Sequence, residues 1–87
     1  MWSQMHGNES TTTKAVADLL KFLTEEKVQT NTVLNNCSIC ILPLLNPDGA
    51  LAYTRANANG TDLNRDAQNL QEPESRVLRQ VFNEFKP

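Results

Sequence analysis

Cys37-Ser38-Ile39-Cys40-Ile41-Leu42-Pro43-Leu44-Leu45 is an apolar run of strand length, and Asn46-Pro47-Asp48-Gly49 closes it with a turn signal. A second, shorter extended run, Trp2-Ser3-Gln4-Met5, stands near the start of the chain. Between the two, Ala15, Val16, Leu19, Leu20 and Leu23 recur at helical spacing and make one apolar stripe. The threonines ahead of them supply N-cap chemistry, so a helix is predicted from Thr11 to Glu26. Residues 27–36 are polar and read as a loop. Strand, helix, strand in this order predicts an α/β fold containing a βαβ unit, with parallel strands and a right-handed crossover. The continuous apolar second strand fits a sheet covered on both faces.

Beyond the turn, residues 50–70 are polar and rich in Asn and Ala, without usable periodicity. A loop this long within a compact domain is usually functional or disordered. Pro73 then opens a second helix, whose apolar stripe is Val77, Leu78, Val81, Phe82 and Phe85. Glu72 and Glu74 lie near its positive end and read as partners of the helix dipole. No repeat, low-complexity tract or second domain interrupts the 87 residues.

The bulk properties exclude several classes. Net charge is −2 and the pI is about 5.2, so there is no basic footprint for nucleic acid. No apolar run approaches the roughly 18 residues of a membrane span. Cys37 and Cys40 have Cys-x-x-Cys spacing, but residues three apart on a strand point to opposite faces. They are expected to be buried strand cysteines rather than a redox pair, and unpaired thiols would suit a reducing, cytoplasmic setting. The Asn-x-Ser/Thr sequons beginning at Asn8, Asn36 and Asn59 read as chance occurrences.

His6, the only histidine, precedes Glu9 by three residues on the turn between the first strand and the first helix. Imidazole nitrogen and carboxylate oxygen are both zinc ligands, and a turn lets two such side chains converge. Past the carboxyl ends of both predicted strands stand His6, Glu9 and Asn46-Pro47-Asp48, the edge at which open α/β sheets bind ligands. In the long loop, Arg55-Ala56-Asn57-Ala58-Asn59-Gly60-Thr61-Asp62-Leu63-Asn64-Arg65-Asp66 places two arginines around an amide-rich stretch. Arginine binds carboxylates with a planar, two-pronged set of donors, and Asn64 adds an amide beside Arg65. A solvated loop and a carboxylate-binding face are both open readings of these residues.

Taken in order, His6-Gly7-Asn8-Glu9, Asn46-Pro47-Asp48-Gly49, Arg55 and Asp62-Leu63-Asn64-Arg65 resemble the zinc carboxypeptidases of the M14, or carboxypeptidase A-like, family. The resemblance runs over nearly the whole chain. It implies that His6 and Glu9 are two of three protein ligands to one catalytic Zn2+. It implies that Asn64 and Arg65 hold the terminal carboxylate of a peptide substrate and that Arg55 stabilises the oxyanion. Asp62 would accept a hydrogen bond from the His6 ring and orient it. The implied fold is a mixed-sheet α/β/α domain, of which residues 1–87 would be the N-terminal to central portion.

Two departures accompany the match. The family's third zinc ligand is a downstream histidine, and this chain has no second histidine. The family's general base, a glutamate late in the catalytic domain, has no counterpart here. The isolated chain is therefore expected to be inactive as a peptidase. An aspartoacylase- or desuccinylase-like amidohydrolase shares the His-Gly-Asn-Glu turn and is the nearest alternative, and a non-catalytic truncated domain is the other. The strand edges of a partial sheet are expected to invite self-association.

Overall fold

A computed structural model describes residues 1–87. Four α-helices and one 3₁₀ turn make up its regular structure: α1 (Thr11–Thr24), α2 (Val28–Asn36), α3 (Pro47–Ala52), a 3₁₀ turn at Leu63–Arg65, and α4 (Pro73–Phe85). Helix α1 lies where the apolar stripe predicts it and stops two residues early, at the extended Glu25. Helix α4 starts at Pro73 as predicted, the proline filling a first-turn position that needs no N–H donor.

The expected βαβ sheet fragment is not there. No strand forms, and the predicted partners Trp2 and Leu42 meet in a single isolated parallel bridge. Around it the Ser3 N–H donates to the Leu42 carbonyl and the Leu45 N–H to the Ser3 carbonyl, each at 3.0 Å. Two segments thus lie side by side without becoming a sheet. Pro43 has no N–H to give the ladder. A two-stranded element also has too few neighbours to be stable alone, and parallel strands need cover on both faces. That cover is absent: Ile39 and Leu44 are exposed. With no sheet, the sheet edges expected to drive self-association are missing too. Cys37 is exposed and Cys40 half-buried, both as free thiols, which corrects the reading of buried strand cysteines.

The predicted loop over 27–36 is in fact mostly α2, held to α1 by the Thr30 hydroxyl, which donates to the Phe22 carbonyl at 3.0 Å. Its weak amphipathicity hid it from a periodicity search, since its inward residue is Thr30 rather than an aliphatic. The long loop of 50–70 likewise contains the end of α3 and the 3₁₀ turn.

Apolar burial is slight. Of 13 buried residues only Val16, Leu45 and Leu63 are hydrophobic, whereas eight are polar or charged. Trp2, Val77, Phe82 and Phe85 remain exposed, so the apolar stripe of α4 is largely uncovered. The molecule is a slab, 44 × 27 × 13 Å, with a radius of gyration of 14.7 Å. A compact domain of this length would have about 12 Å.

Candidate metal centre

The His6–Glu9 turn is built by close backbone approach and side-chain clasps. A Cβ on Gly7 would lie 1.9 Å from the Gly49 carbonyl carbon, and one on Gly49 would lie 2.4 Å from the Asn46 amide nitrogen. Only glycine at both positions lets the His6 turn sit against the Asn46–Gly49 turn. Asn46, fully buried, joins them: its Nδ2 donates to the Met5 carbonyl at 3.1 Å and its Oδ1 accepts the Gly49 N–H at 2.9 Å. The second bond is an N-cap on α3, with Pro47 in the first turn. Gln4 holds the turn from inside, donating to the Gly7 carbonyl at 2.7 Å while its own backbone sits at φ +50°.

On this frame four side chains close into a ring. His6 Nε2 lies 3.0 Å from Asp62 Oδ1, and Asp62 Oδ2 accepts Arg55 Nε at 3.0 Å. Arg55 Nη1 donates to Glu9 Oε1 at 3.3 Å, and Glu9 Oε2 faces His6 Nδ1 at 3.2 Å. The His6 side chain is nearly buried, whereas Glu9 is 59% exposed. Asp62 Oδ1 also accepts the Asn64 N–H at 2.9 Å, capping the 3₁₀ turn. Burial works to raise the Asp62 carboxyl. The Arg55 guanidinium, the Asn64 N–H and the His6 ring outweigh it and lower the pKa from 3.8 to about 2.

The structure thus brings together His6, Glu9, Arg55 and Asp62. Asn64 and Arg65 stand beside them on the 3₁₀ turn but outside the ring. Arg65 is exposed, pairs with no carboxylate, and donates only to the neighbouring Asn64 carbonyl at 3.3 Å. The Asn64 side chain is exposed as well.

The donor set fits a zinc ion in part. Two ligand atoms on one tetrahedral zinc, each about 2.0–2.1 Å from it, stand roughly 3.4 Å apart. His6 Nδ1 and Glu9 Oε2, at 3.2 Å, are close to that spacing. The His6 ring stands between two carboxylates, Asp62 at Nε2 and Glu9 at Nδ1; with Nε2 donating to Asp62, Nδ1 would offer its lone pair to a metal beside Glu9. A complete cage is missing, because no three His, Cys, Asp or Glu side chains gather to hold a metal.

A second polar cluster lies behind the ring. Glu72, expected only to complement the α4 dipole, is buried instead. Its Oε2 accepts Asn57 Nδ2 and Asn59 Nδ2, each at 2.7 Å, and its Oε1 accepts the Thr61 hydroxyl at 2.8 Å. These donors hold its carboxyl below the ordinary range against the opposing effects of burial and Asp66. Asp66, also buried, accepts the Glu72 and Gln71 N–H groups at 2.9 Å each. The alternation of Asn57, Asn59 and Thr61 was the available sequence signal for this cluster.

A histidine and a carboxylate facing one point, with the far ring nitrogen tied to a second carboxylate, is an arrangement used by metal-dependent hydrolases. The chain belongs to the zinc carboxypeptidase family, peptidase M14, whose family model matches residues 1–84. Among its relatives are a probable carboxypeptidase 2 of Arthroderma benhamiae and carboxypeptidase 2 of Trichophyton rubrum, each 32% identical over 89 aligned positions. Both alignments cover 100% of this chain, but 17% of the first relative and 16% of the second. The chain therefore spans about one sixth of the length of these relatives. No solved structure matches it.

Proposed function

We propose that this chain carries part of the active centre of a zinc-dependent metallocarboxypeptidase acting on the C-terminal residues of peptides. The observation that supports this reading best is the His6 ring held between Glu9 and Asp62, with Nδ1 3.2 Å from Glu9 Oε2 and Nε2 3.0 Å from Asp62 Oδ1. His6 and Glu9 supply two ligands to a single Zn2+, and the third ligand comes from outside these residues. When bound, zinc supplies Lewis-acid polarisation of the scissile carbonyl. Asp62 fixes the tautomer and plane of the His6 ring. Arg55 presents a cation to the developing oxyanion, an interaction that commonly contributes about 3–4 kcal/mol. Arg65, free of any carboxylate partner, and Asn64 receive the substrate's terminal carboxylate.

Residues 1–87 act in this reading as a portion of a catalytic domain. One observation favours a second reading for the chain by itself, as a non-catalytic piece: two zinc donors stand together, not three. Zinc titration by calorimetry tests the site. Binding is expected for the native chain, lost in His6→Ala and in Glu9→Ala, and retained in Arg65→Ala. Hydrolysis of an N-acylated dipeptide by the 87-residue chain, abolished by His6→Ala, would overturn the view that it is inactive alone. Zinc binding that survives both ligand substitutions would overturn the site.

A further inference from the structure

Arg55 and Asp62 bracket a six-residue stretch whose side chains do not touch the metal ring. Its alternate residues Asn57, Asn59 and Thr61 all turn the other way, onto the carboxylate of Glu72. The stretch is also tied to itself. Asn57 Oδ1 accepts the Asn59 and Thr61 N–H groups at 3.1 and 3.0 Å, and the Asn57 N–H donates to the Thr61 carbonyl at 3.0 Å. Glu72 is fixed in turn through its N–H, which Asp66 Oδ2 accepts at 2.9 Å. Neither buried carboxylate has a cation within ion-pair distance. Burying an acid without a cation is costly unless neutral donors satisfy it, and here three side-chain donors do so for Glu72.

The geometry points to Glu72 as a positioning residue: by clasping Asn57, Asn59 and Thr61 it sets where Arg55 and Asp62 stand and so holds Asp62 against His6 Nε2. The clasp enforces this distance because Asp62 follows Thr61 directly and Arg55 lies two residues before Asn57. If Glu72 lets go, the loop gains freedom at both ends of the Arg55–Asp62 pair. Asp62 then moves from the 3.0 Å it keeps from His6 Nε2. Glutamine can replace glutamate at this position without losing the clasp. Its oxygen accepts the two asparagine amides, and its NH2 donates to the Thr61 oxygen, whose hydroxyl rotates to suit.

The purpose of this clasp rests on the metal-site reading above, but its test needs no metal. Nuclear Overhauser contacts between the His6 ring and the Asp62 side chain, and Arg55 Nε–H exchange followed by nitrogen-15 NMR of the full chain, read where Asp62 stands. The native chain is expected to show the His6–Asp62 contacts and a protected Arg55 Nε–H. Glu72→Ala is expected to lose both, while Glu72→Gln restores both. If Glu72→Ala fails to fold by circular dichroism, Asn59→Ala and Thr61→Val decide. Each removes one donor and is expected to weaken both signals part of the way. A folded Glu72→Ala with native His6 and Arg55 signals would overturn the assignment. So would folded Asn59→Ala and Thr61→Val variants that leave both signals unchanged. Absence of zinc binding in a chain with the expected NMR signals would refute the metal site and leave the clasp standing.

Discussion

Asp62→Asn is the most informative single substitution. Asp62 gathers three donors: the His6 ring at 3.0 Å, Arg55 Nε at 3.0 Å and the Asn64 N–H at 2.9 Å. They lower its carboxyl from 3.8 to about 2 in the folded chain. Between those values the unfolded chain binds more protons than the native one. The stabilisation is therefore complete above about pH 4, falls with pH, and is gone once the folded carboxyl protonates near pH 2. Unscreened, the difference would be about 2 kcal/mol; at a site this open to solvent, screening reduces it to about 1 kcal/mol. A chain of this length has about 4–13 kcal/mol of stability in all, and its small apolar core places it toward the lower end. Asparagine keeps the shape but turns an NH2 or an uncharged oxygen toward Arg55. Urea unfolding followed by circular dichroism at pH 7 should show a loss of about 1 kcal/mol. Between pH 4 and 2 the native chain should converge on the variant. Stability curves that run parallel through that window would refute the assignment of the three donors to a charged Asp62.

Four further outcomes concern the frame, the candidate zinc site and the exposed face of α4. Gly7→Ala, whose Cβ would meet the Gly49 backbone at 1.9 Å, should cost about 3 kcal/mol or more and should weaken zinc binding in calorimetry, since it separates the two turns. Asn46→Ala removes a cap and leaves the half-buried Met5 carbonyl without its partner, so urea titration should show a loss of about 1–2 kcal/mol. Phe82→Ala, on an exposed stretch of α4, should cost less than about 1 kcal/mol in the same assay, although a buried phenylalanine would cost several times more. Asp62→Asn should also lower zinc affinity about 10- to 100-fold, measured by competition with a chromogenic chelator.

Helix positions were legible where periodicity and start signals agreed. The stripe from Ala15 to Leu23 gave α1, and Pro73 followed by Val77-Leu78 and Val81-Phe82 gave α4. The sheet does not form because Cys37–Leu45 has the composition of a covered parallel strand, yet these 87 residues bury only Leu45 of it and leave Ile39 and Leu44 exposed. Hydrophobic pattern reports what a segment would do inside a complete core. It does not report whether the core is present. Helix α2 failed in the opposite way: Thr30 is buried through a hydroxyl hydrogen bond, which an apolar template does not count. Asn46-Pro47 was read as a turn although it is also an N-cap followed by a first-turn proline, the ordinary start of a helix.

The grouping of the candidate site's residues was more legible than the fold, and for a physical reason. His6, Glu9, Arg55 and Asp62 are fixed by short-range devices: a glycine–glycine contact, an asparagine cap, and an amide-rich loop tied to one buried carboxylate. Such devices depend on particular residues at particular spacings, so they survive in a chain whose sheet does not form. They also explain why buried polar residues outnumber buried hydrophobic ones here, eight to three. Polar networks cost stability when half satisfied, and no buried side-chain nitrogen or oxygen in this chain lacks a partner. What such a network yields is uniqueness of geometry rather than large stability. The ring around His6 keeps ångström-scale order in a molecule whose apolar face is still open.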